Sequence, residues 1–492
     1  MLQNTIKKRR LQGGGNLPVF VWKKAVMRKV LNAMASFRKL YDKEKIDFSN
    51  LLYPNRAMFL LLVPIVVEQL LNSFMGMADT MMVSNVGSEA ISAVSLVDSI
   101  NNLVIQMFAA MASGAAIICS QYLGHRDKEG SNKAARQVLL TVLVISLSLT
   151  LIGLLLRKPL LRLIFGQIDP GVMDKAMSYF LVTILSYPFL ALFNAGAAFF
   201  RAGGNSRFPM IVSVISNLFN IGGNAILIFG LDMGVTGAAL STLFSRIFCA
   251  VVVLFSLRRD GQPIVVRDYY RIRPDMPLIM KILAIGIPSG IENGMFQFGK
   301  LAIQSTVSAM GTAAIAAQAM ANILEMVNGI FGVGVGIGLM TMVGQALGAG
   351  RKEEARYYIV KCTKIGLVGI LVSCLAVFGL AEPVTRLAGM EPESARLCIE
   401  MVTAITIAKP LFWAFSFIPG YGMRAAGDVK FSMITSTLTM WCLRVVLCIF
   451  LVKTYNMGPM AVWYGMFADW AVRGIVFTLR FRGDRWLQKR VI

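Results

Sequence analysis

The sequence predicts an all-α membrane protein of twelve transmembrane helices arranged as two pseudo-symmetric six-helix lobes. Three observations predict it: long apolar stretches, a strict alternation of basic loops, and an internal repeat. The 492 residues are 56% hydrophobic and 15% charged, with a mean hydropathy of +0.65. Soluble domains carry about 25% charged residues. Several apolar stretches reach the roughly 20 residues that cross about 30 Å of hydrocarbon.

Reading apolar runs against polar or Gly/Pro breaks places spans near 57–83, 91–121, 136–156, 177–200, 208–230 and 234–257. A second set falls near 281–307, 314–346, 358–381, 396–422, 430–452 and 458–479. Residues 1–56 form a basic arm without an apolar signal segment, so the first span is expected to be retained. Residues 258–280 are the expected cytoplasmic linker between lobes 57–257 and 281–482, and 483–492 form a cytoplasmic tail.

The net charge of +23 is explained by where the 49 basic residues fall. The N-terminal arm, the loops after even-numbered spans and the C-terminal tail hold 37, and the loops after odd-numbered spans hold seven. Five more, Arg246, Lys300, Lys409, Arg444 and Arg473, lie inside spans. This is a positive-inside pattern with both termini cytoplasmic, in a cell membrane; it leaves nucleic acid without a claim on the charge. In the arm, Met27, Val30, Leu31, Met34 and Tyr41 recur at helical spacing beside Arg28, Lys29, Arg38 and Lys39. That pattern suits either an interfacial helix on an anionic leaflet or a cytosolic tail.

The seven cysteines form no CxxC motif, and His125 is the single histidine. No metal site and no cofactor are expected. No Walker A pattern occurs. Gly332, Gly334, Gly336 and Gly338 lie inside an apolar stretch, not between a strand and a helix, so they read as two GxxxG packing pairs rather than a phosphate loop.

Sliding the chain on itself by 224 residues matches 16 of 66 positions over 64–129 and 288–353. Pro64 meets Pro288, Glu68 meets Glu292, Gln121 meets Gln345 and Gly124 meets Gly348. At a slightly shorter offset Pro188 meets Pro410 and Arg201-Ala202 meets Arg424-Ala425, and Met233-Gly234 meets Met457-Gly458 at the original one. Six spans per half give both halves the same orientation. Parallel repeats with a site at their interface are a transporter architecture.

Each ionisable residue inside a span is a functional candidate, because an unpaired charge in hydrocarbon is costly. The acids are Glu68, Asp79, Asp98, Glu292, Glu325, Glu400 and Asp469. Asp79 is either an exchangeable coupling carboxylate or an acid facing outer water. Asn220 and Asn224 stand one turn apart on span 5, facing one way, and Thr242 of span 6 could join them; interhelical glue is the plain alternative. Glu68 and Glu292 each follow a proline by one turn, which suits a duplicated ion site or ion pairs such as Glu292 with Lys300. Phe412, Trp413 and Phe415 offer aromatic faces to organic cations, or simply pack.

These residues carry a family resemblance. Pro64-x-x-x-Glu68, Met77-Ala78-Asp79-Thr80, Gln121-x-Leu123-Gly124, Phe200-Arg201-Ala202-x-Gly204-Asn205, Asn217-x-x-Asn220 and Arg424-Ala425-Ala426-Gly427-Asp428 resemble the multidrug and toxic compound extrusion (MATE) transporters from about residue 57 to 482. The resemblance implies export of cationic or amphipathic small molecules in exchange for H⁺ or Na⁺, by a protein that is not an enzyme. Its DinF-type branch implies a coupling-ion site at Asp79, Asn220, Asn224 and Thr242. Position 224 departs from that branch, being Asn where Asp is usual. The NorM-type branch would rely on C-terminal acids, and only Glu292 is left as a counterpart, so the DinF type is favoured. The implied partners are the bilayer and a small molecule, with the chain a monomer. A flippase for a lipid-linked saccharide or peptidoglycan precursor is the alternative, and it requires Arg246, Lys300 and Arg444 to converge in one cavity.

Overall fold

The computed structural model describes residues 41–166, 169–267, 269, 272–489 and 491. The interfacial helix considered for 27–41 lies outside them, Tyr41 excepted. Twelve helical spans follow one another among the described residues. The N-terminal six are α1 (Asn55–Ser84), α2 (Ser88–Gly124), α3 (Lys128–Phe165), α4 in two pieces (Pro170–Leu185 and Tyr187–Ala202), α5 (Arg207–Gly230) and α6 (Gly234–Leu257). The C-terminal six are α7 (Met276–Ser308), α8 (Thr312–Gly348), α9 (Lys352–Leu387), α10 (Pro392–Ala425), α11 (Val429–Tyr455) and α12 (Met460–Arg482). Every span is a helix because hydrocarbon offers no partner for a backbone N–H or C=O.

Nine of these helices are long and apolar enough to cross a membrane alone, and the α4 pieces, meeting at 42°, make a tenth. The other two, α7 and α12, carry Lys281, Glu292 and Lys300, and Asp469 and Arg473. Their charges dilute the apolar signal. Helices also outrun the spans expected from hydropathy: α3 covers 128–165 where 136–156 was expected. A carboxylate sets several starts. Asp127 accepts from the Gly130 amide at 2.7 Å, Asp169 from Gly171 at 2.9 Å and Asp275 from Leu278 at 3.2 Å, the usual satisfaction of orphan amides at a helix start. Gly87 and Gly311, repeat partners ahead of α2 and α8, have φ of 123° and 96°, which favours residues without a Cβ.

The repeat is preserved in three dimensions where the two halves meet. At the C-terminal ends of α2 and α8 the backbones touch. A Cβ on Gly124 would lie 2.1 Å from the Gln345 carbonyl oxygen, and one on Gly348 would lie 2.0 Å from that of Gln121. Around this contact Gln121 Nε2 donates to the Ala425 carbonyl at 2.8 Å and Gln345 Nε2 donates to the Ala202 carbonyl at 2.7 Å. Each glutamine thus reaches across to the end of the repeat-related helix in the other half. The glycines on α8 pack in two directions. Gly334 and Gly338 meet Val66 and Leu62 of α1, while Gly332 and Gly336 meet Trp413 and Tyr421 of α10; both GxxxG pairs are packing surfaces.

The linker is tied to α3. Asn132 Oδ1 accepts from the Val265 amide at 2.8 Å, Gln137 bonds both the Arg273 carbonyl and the Asp275 amide, and Lys133 pairs with Asp275 at 2.6 Å.

Adding a methyl group at the glycine contact should force the ends apart, since backbone cannot yield as a side-chain tip can. In a background free of native cysteines, Gly124→Ala and Gly348→Ala are expected to raise thiol labelling of Ser120→Cys, which is buried beside Gly344. Labelling as slow as in the unaltered glycine background would show that the contact does not hold that end shut.

Candidate functional site

Between the halves lies a cavity of about 910 Å³. Its wall runs from Asp79, Val83 and Val94 at one end to Arg201 and Arg424 at the other. Glu68 and Asp79, eleven residues apart on α1, mark a depth of about 16 Å. Beyond Ala116 of α2 the wall ends, and the glycine contact closes that side. The N-terminal half supplies most of the wall; Ser289, Asn293, Val333, Ile337 and Tyr421 come from the other half.

Asp79, Asn220, Asn224 and Thr242 form one connected chain. Asn224 Nδ2 donates to Asp79 Oδ1 at 2.6 Å and stands 3.4 Å from Asn220 Oδ1; Asn220 Nδ2 donates to Thr242 Oγ1 at 3.2 Å. Helical spacing brings the two amides onto one face of α5, and α1 and α6 bring the acid and the hydroxyl to them. Asn224 Oδ1 is buried without a partner among the described residues. Carboxylate, amide and hydroxyl oxygens are the donor set of a hard monovalent cation, and a lone carboxylate is also able to carry a proton, so these residues fit either ion.

A second network shares the wall. Asp98 Oδ1 accepts from Asn101 Nδ2 at 3.1 Å and from the Tyr179 hydroxyl at 3.2 Å, and the Tyr187 hydroxyl donates to Asn101 Oδ1 at 2.8 Å. Arg246 donates to Ser186 Oγ at 2.6 Å, at the α4 bend, and with Asp98 lies within electrostatic reach of Asp79. Asp98 is visible in the sequence as an intramembrane acid. Its tyrosine partner Tyr179 carries no spacing signal, because it sits 81 residues away on another helix.

Glu68 and Glu292 each meet an arginine. Arg201 bonds both oxygens of Glu68 at 3.2 Å, and Arg424 bonds Glu292 Oε2 at 3.3 Å, where Ser432 also donates. The two arginines are repeat partners in the sequence. Lys300, the partner considered for Glu292, instead lies over Phe296 at 5.1 Å. Phe412, Trp413 and Phe415 of α10 stand apart from the cavity wall, which Tyr421 of the same helix joins. Trp413 is buried against Phe417, rings 4.6 Å apart, whereas Phe412 and Phe415 border a small outer groove with Leu479 and Arg482. Arg246 lines the central cavity; Lys300 and Arg444 meet over Phe296 in the C-terminal half. No group of three metal-ligating side chains occurs among the described residues.

The duplicated halves coincide with a known family model. The MatE model matches residues 64–226 and again 288–450. The chain belongs to the MatE family. Members of the MatE family are transporters, so this chain is a multi-pass membrane transporter and not an enzyme. Among its relatives, the "Uncharacterized transporter YisQ" of Bacillus subtilis is 28% identical over 444 residues, covering 88% of this chain and 95% of that protein. The "Probable multidrug resistance protein NorM" of Thermotoga maritima is 25% identical over 446 residues, covering 88% and 93%. Among solved structures, an outward-facing multidrug resistance MATE family transporter superimposes with a TM-score of 0.80 at 21% identity over 87% of this chain and 94% of that one. A transporter of the MOP superfamily from Pyrococcus furiosus gives 0.81 at 21% over 88% and 97%. These structures establish the MatE fold of twelve helices.

Removing one partner of an ion pair strands the other charge, and for these part-buried pairs the cost lies below the about 3–5 kcal/mol of a fully buried one. Arg201→Met is therefore expected to lower the unfolding temperature in detergent more than Glu68→Gln does, with the double variant recovering part of the loss. The same ordering is expected for Arg424→Met and Glu292→Gln. Additive losses in the double variants would remove the pairing argument.

Proposed function

We propose that the protein is a secondary antiporter that exports amphipathic or cationic small molecules in exchange for H⁺ or Na⁺, with Asp79, Asn220, Asn224 and Thr242 holding the coupling ion. The observation that carries this reading is the Asp79–Asn224–Asn220–Thr242 chain, in which Asp79 and Thr242 line a cavity wide enough for a drug-sized molecule and the two asparagines are buried behind them. Ion and substrate then occupy one shared space, which is the simplest physical basis for exchange. An ion drives a conformational change only by the difference in its affinity for the two states. With one carboxylate among neutral amides and hydroxyls, occupancy by a cation changes the local charge by one unit, which makes the wall polarity depend on the ion.

The lobes 57–257 and 281–482 are the moving bodies in this reading, with the alternation of basic loops placing the closed glycine end and both termini on the cytoplasmic side of a cell membrane. The cavity then faces outward. The names of relatives supply the substrate class: the Thermotoga maritima protein is called a multidrug resistance protein, and a mouse relative 23% identical over 440 residues is called multidrug and toxin extrusion protein 2. The flippase reading is less favoured, because it calls for Arg246, Lys300 and Arg444 on one cavity wall and they are divided between the lobes.

The test is efflux of a fluorescent organic cation from proteoliposomes under a proton gradient alone and then a sodium gradient alone. One gradient is expected to drive efflux by the native protein. Asp79→Asn, which keeps the hydrogen-bonding size and removes the charge, is expected to insert normally and to reduce efflux to the no-gradient rate. Undiminished gradient-driven efflux in that variant overturns the assignment of the coupling site.

A further inference from the structure

The repeat brings matching positions of the two lobes to matching contacts, but with different charge. Tyr187 and Lys409 immediately precede the matched prolines, and Asn101 matches Glu325 at the 224-residue offset. In the N-terminal lobe the Tyr187 hydroxyl donates to Asn101 Oδ1 at 2.8 Å; in the C-terminal lobe Lys409 Nζ donates to Glu325 Oε1 at 2.5 Å. The same offset places Arg444 where the N-terminal lobe has Asn220. Arg444 rides on a π-helical turn, Thr439–Val445, within α11, a distortion often found at functional positions.

The charges of this C-terminal cluster do not balance. Lys300, Lys409, Arg444 and Arg473 face two acids, Glu325 and Asp469. Arg473 takes both oxygens of Asp469, at 2.8 and 3.1 Å, and Lys409, fully buried, takes Glu325. Arg444 and Lys300 are left over. Arg444 is 6% exposed, its Nε is buried without a partner, and among the described residues neither Arg444 nor Lys300 makes a hydrogen bond or ion pair. Both lie over the ring of Phe296, at 5.4 and 5.1 Å. One ring attracts cations but supplies no counter-charge. Lys300 is exposed while in electrostatic reach of Glu325, Lys409 and Arg444, so the cluster reaches the surface of the protein through Lys300. Trp413 and Trp470, both buried, stand 5.7 and 5.9 Å from Lys409.

We propose that the C-terminal lobe holds an anion site in which Arg444 and Lys300 bind the carboxylate of an aromatic organic acid, beside the ring of Phe296. A guanidinium and a carboxylate form the strongest neutralising pair available to a side chain. The ligand completes the charge that the protein leaves open. The site goes beyond the coupling reading and stands independently of it, because equilibrium binding needs no ion gradient and none of its residues touches Asp79.

The test is equilibrium binding of benzoate to the purified full-length chain in nanodiscs, followed by calorimetry, with benzamide as the neutral isostere and chloride as the inorganic anion. Benzoate is expected to bind saturably, benzamide and chloride at least about tenfold more weakly. Lys300→Gln and Arg444→Gln are each expected to weaken benzoate by about tenfold. Lys300 is exposed, so its variant keeps the test available should Arg444→Gln not fold. Absence of saturable benzoate binding to the native chain, equal binding of benzamide or chloride, or native affinity in Lys300→Gln each overturns the proposal.

Discussion

The arrangement rests on one contact, the meeting of two backbones where Gly124 and Gly348 cross. A transporter built from two bundles needs a place where the bundles touch closely enough to seal and weakly enough to part. Glycine achieves the first by letting one helix lie against the carbonyl of another. The paired bonds from Gln121 to Ala425 and from Gln345 to Ala202 serve the second. Each is a single neutral hydrogen bond, worth about 1 kcal/mol net, and each has water as a ready substitute once the ends separate. The cavity above exists because this end is closed.

The two lobes spend their shared fold differently. At the Arg201 and Arg424 end of the cavity the repeat is chemically faithful: Glu68 with Arg201 answers Glu292 with Arg424. Deeper in each lobe it diverges. A tyrosine–asparagine bond in one lobe becomes a lysine–glutamate pair in the other, and the asparagine of the Asp79 chain becomes an arginine. The pairs kept alike stand beside the cavity, whereas the positions that differ in charge, Asn220 against Arg444 and Tyr187 against Lys409, are buried within each lobe.

Helix number, repeat and family resemblance were legible in the sequence because each depends on regularities along the chain: hydropathy over 20 residues, basic loops at every second turn, identities at one offset. The Asp79 chain was partly legible, since Asn220 and Asn224 are one turn apart on α5 and Thr242 could join them, while the junction with Asp79 of α1 came through the resemblance. What spacing does not encode is which side chain from a distant helix completes a pair. Arg201 and Arg424 were visible as repeat partners, yet nothing near them in sequence pointed to Glu68 or Glu292. Tyr179 and Tyr187 are invisible for the same reason. The aromatic run of α10 shows the converse: a helix has a face toward each neighbour, and adjacent positions such as Phe412 and Trp413 point in different directions.

Position 224 connects these themes. An aspartate there would stand against Asp79 with like charge, and the two could not both stay ionised at such a distance. Asparagine instead gives Asp79 a hydrogen-bond donor at 2.6 Å and keeps its own Oδ1 free as an acceptor. The N-terminal chain therefore holds one ionisable group, not two. In the proposed antiport cycle such a chain would exchange a single charge, with the free amide oxygen available to a cation larger than a proton. Asparagine at 224 thus keeps four side chains converging while leaving one carboxylate among them.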